Sequence, residues 1–113
     1  MNITNELDTL ITGLGLPVET GKFSGKAPAE YVVITPLGDN FALHSDNRPV
    51  YETQEVRLSL FCQKNYLSTK RQLERALLKA GFTITLRRYN GREDDTGYFH
   101  TTIDVQKLYH WEE

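Results

Sequence analysis

At 113 residues, with 39% hydrophobic and 25% charged residues, the chain has the size and composition of one globular domain with a modest core, spanning residues 1–113. A net charge of −2 supplies no general attraction for nucleic acid or anionic lipid. The only cysteine, Cys62, excludes an internal disulfide and agrees with a reducing compartment, and neither a leader-like start nor a bilayer-length apolar run is found, so a soluble, untargeted protein is expected.

Ile3, Leu7, Leu10, Ile11 and Leu14 recur at helical spacing, with Glu6 and Asp8 toward the end where free backbone N–H groups favour negative charge. This predicts a helix over about residues 2–14, apolar on one side, lying on a sheet and stopped by Gly13 or Gly15. Pro17 discourages continuation, and residues 21–28, rich in Gly, Lys and Ser, have the composition of an exposed connection. Tyr31, Val32, Val33 and Ile34 predict a first strand and residues 41–44 a short second one, with turn chemistry in Asp46, Asn47, Arg48 and Pro49. Such short separations favour antiparallel pairing, because a parallel crossover needs a longer connection.

From Glu52 the two faces separate: Val56, Leu58, Leu60 and Cys62 lie on one side, Glu55, Arg57, Ser59 and Gln63 on the other. Phe61 breaks the polarity of the outer face, which implies that another segment or subunit covers that end. Residues 65–68 predict a turn, and Thr69 with Gln72 has capping-box spacing ahead of the helical stripe Leu73, Ala76, Leu77 and Ala80, which Gly81 ends. The basic face of that helix, Lys70, Arg71, Arg75 and Lys79, is expected to be solvated, with a protein-partner contact as the next reading and nucleic-acid binding the last, since nothing in its spacing suits base recognition. Ile84 and Leu86 mark a further strand that Tyr89 extends, residues 90–97 a hydrophilic loop, and Phe99, Thr101, Ile103 and Val105 one face of a last strand. The predicted class is α+β, a mainly antiparallel or mixed sheet with two helices on one face, in the order α-β-β-β-α-β-β.

No constellation points to catalysis. Glu93, Asp94 and Asp95 share one loop without the converging oxygens a hard cation needs, and strand alternation sends Glu52 and Glu55 to opposite faces. His44, His100 and His110 are dispersed, with neither HExxH spacing nor a nucleophile elbow. The glycines form no phosphate-binding fingerprint, and Cys62 on an apolar face is expected to be inert. Neither catalytic residues nor a cofactor or metal is expected. Tyr109 and Trp111 offer large contact areas near the end of the chain, either for packing over a sheet edge or for a neighbouring subunit.

The strand EVRLSLFCQKNY, the helix STKRQLERALLKAGF and the acidic loop ending in DDTGYFH, within residues 51–109, resemble small siphophage or prophage tail proteins of the tail-completion and tail-terminator type. The preceding helix and the string YVVIT extend the resemblance across nearly the whole chain. It implies a non-enzymatic virion structural protein that assembles as a ring, often a hexamer, at the head-proximal end of a noncontractile tail, ending tube growth or supplying the head-tail joining surface. Implied partners are further copies, the tail tube protein and head-tail connector proteins. DNA would pass without specific binding, no membrane is involved, and the protein would reside in the virion tail or neck after assembly in the host cytoplasm. On this resemblance Glu93, Asp94, Asp95, Gly97, Tyr98 and His100 are assembly-contact candidates, joined by Tyr109 and Trp111 on their own chemistry. Another head-tail connector or minor tail component, and a small soluble protein-binding or regulatory module, are the alternatives.

Overall fold

The alternating run in the middle of the chain becomes the central strand of a single mixed sheet. The computed structural model describes residues 2–111, ordered as α1 (Ile3–Gly13), β1 (Val18–Thr20), β2 (Glu30–Ser45), β3 (Arg48–Cys62), α2 (Tyr66–Lys79), β4 (Thr83–Arg92) and β5 (Phe99–His110). This is the predicted α+β order. The strands lie side by side as β1-β2-β3-β5-β4; among the described residues only β1 and β2 are parallel.

One face of the sheet is apolar, and both helices pack on it. Leu58 is fully buried and registers with Ile34 on one side and Ile103 on the other, while Val56, Leu60 and Cys62 extend the same row along β3. Ile3, Leu7 and Ile11 of α1 and Leu73 and Leu77 of α2 close the layer from above. Each such side chain contributes roughly 1.5–3 kcal/mol by leaving water. The start of α1 is satisfied twice: the Asn2 side chain accepts from the Asn5 N–H at 2.8 Å, and the Gln54 Oε1 accepts from the Ile3 N–H at 2.7 Å.

Four local expectations change. The predicted strands at 31–34 and 41–44 are one continuous strand, β2, because Leu37 is absorbed as a bulge between Pro36 and Gly38 and does not end the pairing. Its hairpin with β3 turns at Asp46 and Asn47, whose φ angles of 52° and 63° give the two-residue turn that matches strand twist. Val18–Thr20 forms the additional short strand β1, giving three strands before α2 despite the merger. The helix α2 begins one turn early, at Tyr66. Asn65 stands at its N-cap in the left-handed region without a side-chain cap bond, and Thr69 donates to Glu30 at 2.6 Å, so the Thr69–Gln72 capping box does not form. Likewise β4 continues through Asn90 and Gly91 to Arg92, with a second irregularity between Tyr89 and Gly91.

The β2–β3 hairpin runs past the helices, so the molecule measures 54 × 26 × 23 Å. The exposed Leu37 and Phe41 lie at the root of this arm, in rows that α1 and β5 still reach, and β5 backs the hairpin as far as Tyr51.

Candidate functional site

The eight candidate residues fall at opposite ends of β5, a 12-residue strand that spans about 40 Å at strand rise. They therefore make two surfaces.

At the first end, the loop joining β4 to β5 is closed by its own backbone. The Glu93 N–H donates to the Tyr98 carbonyl at 2.8 Å, the Gly97 N–H donates back to Glu93 at 2.7 Å, and the Thr96 hydroxyl donates to the Glu93 carboxylate at 2.9 Å. Gly97 has φ 79°, a region that favours glycine and lets the loop return. Asp94 and Asp95 are exposed, with Arg92 lying 3.8 Å from Asp94 across open solvent, where such a pair contributes little.

Tyr98 and His100 behave differently. Tyr98 is buried and its hydroxyl donates to the Pro28 carbonyl at 2.5 Å, tying the connection 21–28 to the open face of the sheet. There Tyr31 stacks on Phe61 at 4.8 Å, Phe23 lies against Tyr31 at 4.8 Å, and the His100 ring stacks on Phe61 at 4.4 Å. The cover predicted over Phe61 is thus supplied from within the chain, by Tyr31, Tyr98 and His100. Among the described residues the buried His100 Nε2 has no hydrogen-bond partner, and burial lowers the imidazole's proton affinity, partly opposed by the charge of Glu93. A shallow depression of about 370 Å³ beside this cluster is lined by Lys22, Phe23, Tyr31, Val33 and Phe61.

At the second end, Tyr109 is buried under α1 and donates to Glu6 at 2.8 Å. Lys107 also holds Glu6, donates to the Ala80 carbonyl at 2.9 Å, and sits 4.6 Å over the Phe82 ring. Burial and the Glu6 carboxylate push the Tyr109 phenol well above its usual range. The Trp111 N–H donates to Val50 at 2.7 Å, and its ring meets Phe41 edge-on at 4.9 Å, flanking a small depression shared with Asp39, Asn40 and Glu52. Of the candidates, then, Asp94, Asp95 and Trp111 are placed to meet another molecule, whereas Tyr98 and Tyr109 are committed to internal packing.

Two shielded carboxylates beside these surfaces are paired within the chain, whereas the Thr101 hydroxyl on β5 is buried with no hydrogen-bond partner among the described residues. Asp104 takes a two-pronged contact from Arg57 at 2.9 and 3.0 Å, and Glu74 takes one from Arg87 at 2.7 and 3.1 Å, each of which strengthens the guanidinium's hold on its proton. Burial pushes the Cys62 thiol up to about 11, as suits an unreactive thiol. Among the described residues no three His, Cys, Asp or Glu side chains converge on a metal position, and no helix is long and apolar enough to cross a membrane.

Sequence reasoning missed the arm. Its signals were Phe41, set apart as part of a separate short strand, and the dipeptide Asp46–Asn47, which suits the tight turn that makes a long hairpin. It also missed Glu6, Gln54 and Lys107, which act only once distant elements meet. No family model matches the chain, and comparison with curated proteins finds no match.

Proposed function

We propose that this chain is a non-enzymatic structural subunit of a siphophage or prophage tail, forming a ring at the head-proximal end that terminates the tube or presents the head-tail joining surface. The observation that carries the self-associating part is the pair Leu37 and Phe41, 42% and 54% exposed four residues apart near the root of the long β2–β3 hairpin. A contiguous exposed apolar patch on a folded scaffold is a mark of a contact surface. The phage assignment draws on the resemblance carried by EVRLSLFCQKNY, STKRQLERALLKAGF and DDTGYFH. Ring closure repeats one contact around a symmetry axis, so a modest interface yields a durable platform.

The chemistry of the sheet supports the non-enzymatic part of the reading. The carboxylates best shielded from water, Asp104 and Glu74, are neutralised by two-pronged arginine contacts, and the one thiol is buried. On this account the protein is found in the virion neck or tail, meeting tail tube and connector proteins, with DNA passing and no specific contact to it. Quantitative mass spectrometry and labelled-subunit imaging of purified particles should find a fixed, small copy number at the head-proximal end of the tail. Particles that contain none of it, or that carry it at the distal tip, would remove that placement.

A further inference from the structure

We propose that copies of this chain join edge to edge, the outer edge of β2 beyond Ile34 in one copy pairing antiparallel with the outer edge of β4 in the next. The proposal rests on the ring-forming reading above and names the surface that would build the ring.

Among the described residues, both edges lack a neighbouring strand. β1 covers β2 only from Val32 to Ile34, and β4 ends the sheet on the other side. The Val32 N–H donates outward to Pro17 and the Ile34 carbonyl accepts outward from Gly21, so even-numbered residues there face the edge. The bulge at Leu37 reverses this parity and turns the backbone groups of Asp39 and Phe41 outward, just past Pro36, where a missing N–H on the edge side costs nothing. By the same alternation through β5, Arg87 and Tyr89 turn theirs outward on β4. Open ladders of this kind are templates for pairing with another chain.

The chemistry of the two edges is complementary, which selects a second copy as the occupant. Beyond Ile34 the β2 edge carries Asp39, with Glu52 and Glu55 next to it on β3, whereas β4 carries Arg87, Arg88 and Arg92 and the adjoining helix α2 adds Lys70, Arg71, Arg75 and Lys79. Apolar groups are exposed on both sides: Leu37 and Phe41 on the arm, and Tyr89 and Leu78, 52% and 61% exposed, on the facing flank. Opposite charge and paired apolar contacts favour head-to-tail joining over acidic edge on acidic edge.

Geometry agrees. Successive antiparallel pairings make β2 and β4 run in opposite directions, so a neighbour rotated about an axis near the strand direction presents β4 antiparallel to β2 with its helices on the same side. Tyr89 is level with Val32, which β1 covers, so β4 must slide along the hairpin for Tyr89 to face Asp39. That slide of about six residues with the bulge left out, ~20 Å, over a four-strand repeat of ~19 Å is a strand tilt of about 45°, at the upper end of the range at which sheets close on themselves.

The test combines Asp39→Cys with Tyr89→Cys, both exposed positions on the helix-bearing face, while native Cys62 stays buried. With a short bismaleimide the double variant should give a ladder of covalent multimers, and each single variant should give monomer. A protein that self-associates by light scattering but gives no ladder, or an Asp39→Cys single variant that crosslinks to itself, would overturn the edge pairing and leave the ring reading standing. A protein that remains monomeric at all concentrations and in the presence of tails would remove the ring reading itself. As a second arm, Phe41→Pro deletes an outward N–H; it should keep the native circular dichroism and weaken self-association on the order of tenfold, as loss of about one hydrogen bond implies, and unchanged association would count against the proposal.

Discussion

Glu6 shows how much one side chain can organise. It receives Tyr109 and Lys107 from the far end of the chain and thereby binds α1 to β5, 101 and 103 residues away in sequence. Tyr109→Phe should cost about 1 kcal/mol, since Lys107 still holds the carboxylate, and Glu6→Ala should cost more because it removes the acceptor of the buried Tyr109 hydroxyl and the counter-charge of Lys107, which keeps only the Ala80 carbonyl and the Phe82 ring; urea unfolding of both variants checks the ranking. His100 provides a pH signature. Its folded-state proton affinity lies below the ordinary value of 6.5, so the unfolded chain binds the extra proton first on acidification. Its contribution is complete above 6.5 and is lost as pH falls through that value toward the folded pKa. His100→Asn should therefore lose less stability than the parent between neutral and mildly acidic pH, and parallel declines would assign the acid sensitivity elsewhere. Neither role was visible in the sequence, where His100 is one of three scattered histidines and Glu6 a favourable charge near a helix start. Both depend on which long-range neighbours the fold supplies.

At the level of elements, periodicity was the legible signal. The alternation of Val56, Leu58, Leu60 and Cys62 and the stripe Leu73, Ala76, Leu77 placed β3 and α2 on the same apolar layer, and the buried face of each agrees. Where periodicity was interrupted, sequence reasoning erred. Pro36 and Gly38 look like strand breakers, yet at a sheet edge proline loses no ladder bond and a bulge absorbs the extra residue, so β2 continues. Three residues, Val18–Thr20, are too few for an alternation pattern, and they pair with β2 because the turn after α1 delivers them there. The two-residue turn at Asp46 and Asn47 holds the arm's register, and both φ angles are positive. Asn47→Gly should thus slow amide exchange in the arm and stabilise it by a few tenths to about 1 kcal/mol. Faster exchange in residues 39–52 would show that the turn is not what holds the hairpin.

Across the whole molecule, the core explains the fold and the arm explains the proposed purpose. A one-sided helical layer buries the apolar face of the sheet, while on the other face the 21–28 connection lays Phe23 against Tyr31 beside Phe61 and His100; the exposed apolar groups are Leu37 and Phe41 on β2, Tyr89 on β4, Leu67 and Leu78 on α2 and Leu108 on β5. The resemblance offered Tyr98 as a contact and aromatic chemistry offered Tyr109, but burial and internal hydrogen bonds occupy both, so the contact surface proposed is Phe41, Trp111 and the strand edges. Purified protein followed by sedimentation velocity over a wide concentration range is the most direct test. Self-association to one closed oligomer, with no larger species growing from it, is the outcome expected of ring formation through these edges. A single monomeric boundary at every concentration, with assembled tails failing to shift it, would contradict the account.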